Sequence, residues 1–217
     1  MNPSATTEAV TVGSHRLPGE LQQPAGATAL VLFAHGSGSS RLSPRNRFVA
    51  QLLHQRGLGT LLFDLLDEAE AANRARVFDI ELLGARLVEA IDWAAGHSAL
   101  GGKVLGLFGA STGAAAALAA AAARQERVGA VVSRGGRPDL ALPWLDRVRA
   151  PTLLVVGGED HEVLRLNRLA LRSMRCEARL EVVPGATHLF EEPGTLEAAA
   201  TLAADWFVQH LSGEASS

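Results

Sequence analysis

The chain of 217 residues holds a single cysteine, Cys176. That count excludes an internal disulfide framework and a cysteine-based zinc cluster, and it suits a reducing compartment, so a cytoplasmic protein is expected. A basic stripe is lacking too. Twenty Lys and Arg stand against 23 Asp and Glu, for a formal net charge of -3, which disfavours nucleic acid and anionic membrane surfaces as partners. No run approaches the roughly 18 apolar residues of a spanning helix. The opening Met-Asn-Pro-Ser-Ala-Thr-Thr-Glu has neither the basic nor the apolar region of a secretion signal, so secretion and membrane insertion are both disfavoured. No repeat and no linker divides the chain. Residues 1–217 therefore read as one domain, with 212–217 as a frayed tail. Nucleotide-binding patterns are missing as well: Gly106 to Gly113 contains no Walker lysine and its spacing does not give GxGxxG, so no nucleotide or other cofactor is expected.

What is present is 47% apolar residues, enough for one sizeable core. Apolar runs of strand length recur at Thr28 to Ala34, Thr60 to Leu65, Val104 to Phe108, Ala130 to Ser133, Thr152 to Val156 and Arg179 to Val183. They are continuous instead of alternating, which predicts parallel strands buried on both faces. Helical spacing falls between them, over Pro44 to Gln55, Asp79 to Ala95, Ser111 to Arg124, Val163 to Met174 and Leu196 to Leu211. Alternating strand and helix predicts an α/β fold with a doubly wound, mostly parallel central sheet. Upstream, Glu8 to Leu21 alternates loosely around Pro18-Gly19 and reads as an antiparallel hairpin on the sheet edge. The alanine tract Gly113 to Ala123 reads as a helix whose small side chains let it lie close to the sheet.

The strongest clue to chemistry is Gly109-Ala-Ser111-Thr-Gly113, which joins an apolar strand to that alanine helix. It reads as a nucleophile elbow, a turn so tight that the serine backbone is strained and its hydroxyl lifted clear. Ser111 is the candidate nucleophile. A serine hydroxyl needs a base, and the base needs an acid to orient it. In a parallel sheet these groups belong beyond the carboxyl ends of strands. There Gly157-Gly-Glu-Asp160 and Pro184-Gly-Ala-Thr-His188 follow two late strands, so Asp160 and His188 are the candidate acid and base. Glu159 and Asp139 are rival acids. His15, His54, His97 and His210 fall at exposed or helical positions. For the oxyanion hole, the backbone NH of Thr112 and that of Ser37, in His35-Gly-Ser37-Gly-Ser-Ser40, are the candidate donors. His161 and Glu162 beside Asp160 lack a second ligand set at a recognisable spacing, so no metal site is expected.

With the elbow, acid, histidine and glycine loop in this order, the chain resembles the α/β-hydrolase superfamily and, more narrowly, the small dienelactone-hydrolase-like proteins. Phe33-Ala-His-Gly-Ser-Gly-Ser-Ser-Arg41, Ser43-Pro-Arg-Asn46, Ser133-Arg-Gly-Gly-Arg-Pro-Asp139 and Pro184-Gly-Ala-Thr-His-Leu-Phe-Glu-Glu-Pro193 look like the signature stretches of a bacterial subgroup. Some relatives in that subgroup are fused to phosphoribosyltransferase-like domains, and nothing in this chain looks like such a domain. Dienelactone hydrolases proper use a cysteine nucleophile. Here the elbow holds Ser111, and Cys176 lies far off in a stretch read as surface loop. The resemblance implies a carboxylesterase-type serine hydrolase that takes a small-molecule ester.

Only 18 residues separate the strand ending at Ser133 from the one starting at Thr152, where larger hydrolases insert a lid. An open cleft without a lid domain, and small or short-chain esters, are expected. Arg41, Arg45 and Arg134 fall near carboxyl ends of strands and are candidates for a substrate carboxylate or phosphate, against the alternative of solvated or structural arginines. A thioesterase, amidase or acyltransferase would use the same triad. A non-catalytic binding protein and a partner subunit also remain open, as does the choice between monomer and homodimer.

Overall fold

The computed structural model describes residues 7–212. Its strands are β1 (Thr7–Val12), β2 (Leu17–Gln22), β3 (Ala29–Ala34), β4 (Gly59–Phe63), β5 (Val104–Ala110), β6 (Val128–Arg134), β7 (Thr152–Gly157) and β8 (Ala178–Val183). They form one sheet in the order β1-β2-β4-β3-β5-β6-β7-β8. From β4 to β8 every pairing is parallel, while β1 and β2 add an antiparallel edge. The sequence runs explain this centre: every residue of β3, β4 and β7 is buried, as a strand covered by helices on both faces requires.

Helices α1 (Pro44–Gln55), α2 (Glu68–Ala71), α3 (Arg74–Val77), α4 (Ile80–Gly96), α5 (Thr112–Ala123), α6 (His161–Leu171) and α7 (Thr195–Leu211) complete the chain, with a 3-10 helix over Pro138–Arg147. One face of the sheet is covered by α1 and α7, through Val49, Leu53, Ala200 and Phe207. The other carries α4, α5 and the 3-10 helix, through Leu83, Leu87, Leu118 and Leu145. Helix α5 buries eleven of its twelve residues. Alanine makes this possible, because it keeps high helix propensity while adding almost no width, and α4 and the 3-10 helix pack against it from outside.

All six expected strands exist, with shifted ends. Strand β8 departs from the expectation of burial on both faces: it is the last strand of the sheet, and only Val183 in it is fully buried. The hairpin is real, but Pro18 and Gly19 lie inside β2, paired with Thr11 and Val10. The turn falls instead at Gly13 to Arg16, both with positive φ (67° and 54°). Cys176 is not a surface thiol: it is half-buried against the core, beside the Thr152 hydroxyl, and burial raises its pKa. Of the expected frayed tail, only Ser212 lies within the described residues. The two short helices α2 and α3 and the 3-10 helix are additions that the periodicity did not reveal. No described helix is long and apolar enough to cross a membrane.

Because α5 has no slack, a larger side chain on it has nowhere to go. Ala117→Leu is expected to cost about 1–3 kcal/mol of stability, measured as a lowered urea midpoint with an unchanged slope.

Candidate active site

The site gathers at the carboxyl ends of β3, β5, β6 and β7 and in the loop after β8. Ser111 stands between β5 and α5 with φ 51° and ψ -120°, a conformation that costs a non-glycine residue of order 1–3 kcal/mol. Its neighbours permit the turn. A Cβ on Gly113 would lie 2.2 Å from the Ala34 carbonyl oxygen, and one on Gly109 would lie 2.4 Å from the Ala114 Cα, so neither position accepts a side chain. The strained peptide is tied on both sides: the Ser111 NH donates to the Arg134 carbonyl at 3.3 Å, and the Ser111 carbonyl accepts from the Arg137 NH at 3.1 Å.

Ser and Asp at a helix start ordinarily cap it, accepting from an amide two or three residues on. Ser43 and Asp79 do so for α1 and α4. Ser111 and Asp160 occupy the same position before α5 and α6, and neither side chain makes a capping bond. The Asp160 carboxylate turns away to accept from His188 Nδ1 at 2.6 Å, which leaves Nε2 as the nitrogen facing the rest of the site. Asp160 is well shielded, with 13% of its side chain exposed, against 39% for His188. The rival acids are elsewhere. Asp139 is bound in a fork by Arg137, and Glu159 is exposed beside His161.

The loop carrying His188 is braced by Glu192, which accepts from both the Thr187 NH (3.1 Å) and the Thr187 hydroxyl (2.7 Å). Two residues past His188, Phe190 takes a left-handed conformation, φ 56°, and its buried ring lies 5.6 Å from the Arg134 guanidinium.

Ser111 and His188 line one cavity of 240 Å³ together with Ser37, Arg45, Asn46 and Arg134. Among the described residues the Ser111 hydroxyl makes no hydrogen bond to the imidazole. A larger cavity of 470 Å³ lies across the Gly36 to Ser39 loop and includes Thr112, Arg41 and Asp64. The three arginines thus separate: Arg45 and Arg134 stand with Ser111, while Arg41 faces the other cavity and is engaged by Asp64 through both its backbone NH and its guanidinium. The Ser37 NH points at the start of α5, where it donates to the Thr112 hydroxyl at 3.0 Å.

The residue composition did not single out His35 for a structural role. It is half-buried, its Nε2 accepts from the Leu65 NH at 3.0 Å and its Nδ1 faces the Gly36 carbonyl at 3.1 Å, so it pins the loop after β3 to the segment after β4. Burial lowers its pKa, against smaller opposing effects of the Gly36 carbonyl and Asp64. Asn167 on α6 likewise holds the chain after β6, donating to the Gly136 carbonyl at 3.0 Å. Partners 30 and 31 residues apart in sequence leave no local signal for either role to be read.

A parallel sheet between two helical layers, with a strained serine elbow and a histidine paired to a carboxylate at its carboxyl end, defines the α/β-hydrolase class. Within that class the chain belongs to the dienelactone hydrolase family, which it matches over residues 49–212. It is 53% identical to a dienelactone hydrolase from Anabaena variabilis, with a TM-score of 0.92 over 97% of this chain and 100% of that one. It also shares the fold of Est1E from Butyrivibrio proteoclasticus (TM-score 0.80, 14% identity, 97% and 100% coverage). Two proteins of Mycobacterium tuberculosis, from strains CDC 1551 and H37Rv, are 56% identical over 204 residues, 94% of this chain, and their provisional name is phosphoribosyl transferase. The chain spans about half the length of these curated relatives, 46%.

The sign of the His35 effect gives a prediction. A histidine whose folded pKa lies below its ordinary 6.5 binds more protons unfolded than folded, so its contribution is complete above that value and is lost as pH falls through the interval below it. His54, lowered by burial as well, acts in the same direction. The melting temperature is expected to fall as pH drops below 6.5, with His35→Gln flattening that slope in thermal unfolding followed from pH 8 to about pH 5.

Proposed function

We propose that this hydrolase cleaves small or short-chain carboxylic esters by a Ser111–His188–Asp160 triad through an acyl-enzyme. The reading is carried by one observation: a largely shielded carboxylate, Asp160, left free of its helix and bonded at 2.6 Å to a histidine that shares a cavity with the strained Ser111. In this scheme the Ser111 oxygen attacks the acyl carbon as His188 Nε2 takes its proton, and Asp160 stabilises the imidazolium. Collapse of the tetrahedral adduct expels the alcohol, which receives that proton. Water, deprotonated by the same nitrogen, then releases the acid and restores the serine.

The Thr112 and Ser37 amides serve as oxyanion donors. Ser37 exchanges the neutral Thr112 hydroxyl for a charged acceptor as the oxyanion forms, a hydrogen bond roughly twice as strong. The transferase name of the longer mycobacterial relatives we assign to the part of those proteins that this chain does not span.

Initial rates on p-nitrophenyl acetate, butyrate and octanoate test the reading. Turnover by wild type is expected to favour the shorter chains, and kcat to fall by about 10⁴ or more in Ser111→Ala and His188→Ala. Folding of each variant is checked by circular dichroism. Activity that survives in a folded Ser111→Ala protein refutes the nucleophile assignment.

A further inference from the structure

Two arginines among the described residues are buried, Arg86 at 6% exposure and Arg134 at 8%. They are treated very differently. Arg86 meets the carboxylates of Glu70 and Glu89. Arg134, the last residue of β6, meets none: its Nε and Nη1 are shielded from solvent and find no acceptor among the described residues, and its guanidinium lies over the ring of Phe190. Burial lowers its pKa to about 10, and the charge of Arg45 adds to that shift, so at neutral pH the guanidinium still carries its proton. An unneutralised charge held in a protein interior is a standing cost to the fold, and here it lies in the wall of the Ser111 cavity.

The neighbouring groups deepen the imbalance. Arg45, on the first turn of α1, approaches Arg134 and is answered by one exposed carboxylate, Glu191, at 3.3 Å. The positive end of the twelve-residue helix α1 lies in the same wall, with Ser43 at its start, and a helix start favours anions. Asn46, in the same wall, is 2% exposed, and its shielded Oδ1 finds no donor among the described residues.

We propose that the corner formed by Arg45, Arg134 and the start of α1 binds a phosphate monoester group, so that the substrate is a small ester that also carries a phosphate. The chemistry at Ser111 rests on the serine-hydrolase reading above; the binding does not. A carboxylate brings one charge to two guanidiniums, whereas a phosphate monoester brings nearly two charges and three acceptor oxygens, which balances both cations. The cavity of 240 Å³ has room for a phosphate and a frame of a few carbons.

Isothermal titration of the full chain carrying Ser111→Ala separates binding from turnover. The probes are inorganic phosphate, glycerol 3-phosphate and succinate at constant ionic strength. Glycerol 3-phosphate is expected to bind about tenfold tighter than succinate, and Arg45→Gln to weaken it by about tenfold. Arg134→Met is expected to abolish binding while raising the melting temperature, because it removes an unpaired buried charge. The exposed Arg45 variant keeps the test decisive if the Arg134 variant does not fold. Absence of saturable phosphate binding, tighter binding of succinate, or unchanged affinity in a folded Arg134→Met protein overturns the proposal. Each of these results leaves the serine mechanism to its own rate measurements.

Discussion

The left-handed backbone of Ser111 is the constraint around which the rest is arranged. It persists because Gly109 and Gly113 remove every atom that would open the turn, and because hydrogen bonds to the end of β6 and from the chain just after it grip the serine peptide on both sides. The parallel sheet supplies the frame. Strand β5 lies between β3 and β6, so the loop after β3 and the chain after β6 both reach the elbow without long excursions. A ligand site at this end of an open α/β sheet follows from the topology itself.

Much of this was legible before any coordinates. Strands β3 to β7 announce themselves as unbroken apolar runs because both of their faces are covered, and Asp160 and His188 stand where late strands end. Strand β8 reads like its neighbours in sequence, yet its position at the sheet edge leaves most of it open to solvent, a fact about order in space that composition does not carry. The short helices α2 and α3, four residues each, are too brief to show a period. Their capping residues Asp67 and Asn73 were the only local sign of them. The three arginines looked alike in sequence. What separates Arg41 from Arg134 is Asp64, 23 residues from the former, and only the folded chain decides which guanidinium a carboxylate reaches.

The two catalytic candidates share a physical history. Ser111 and Asp160 both stand at helix starts, where their side chains would normally serve the helix, and both helices do without that service. Helix α5 compensates with buried packing along its length, and α6 with its hydrophobic contacts through Val163 and Leu164. The same exchange of local stability for an available group recurs at Phe190, whose left-handed backbone places a ring against Arg134, and at Arg134 itself. Strain and unmet charge thus meet at the Ser111 cavity, while the surrounding layers are packed with aliphatic side chains.

Helix α5 gives that concentration a mechanical side. Almost all of its bulk is backbone, so it has very few rotamers to exchange, and side-chain repacking is the usual way in which a core absorbs a disturbance. Behind Ser111 the molecule is a stiff rod pressed between a sheet and a helical layer. On the opposite side of Ser111 the loops carrying Ser37 and His188 border the cavity, and a ligand entering there finds a serine that does not retreat.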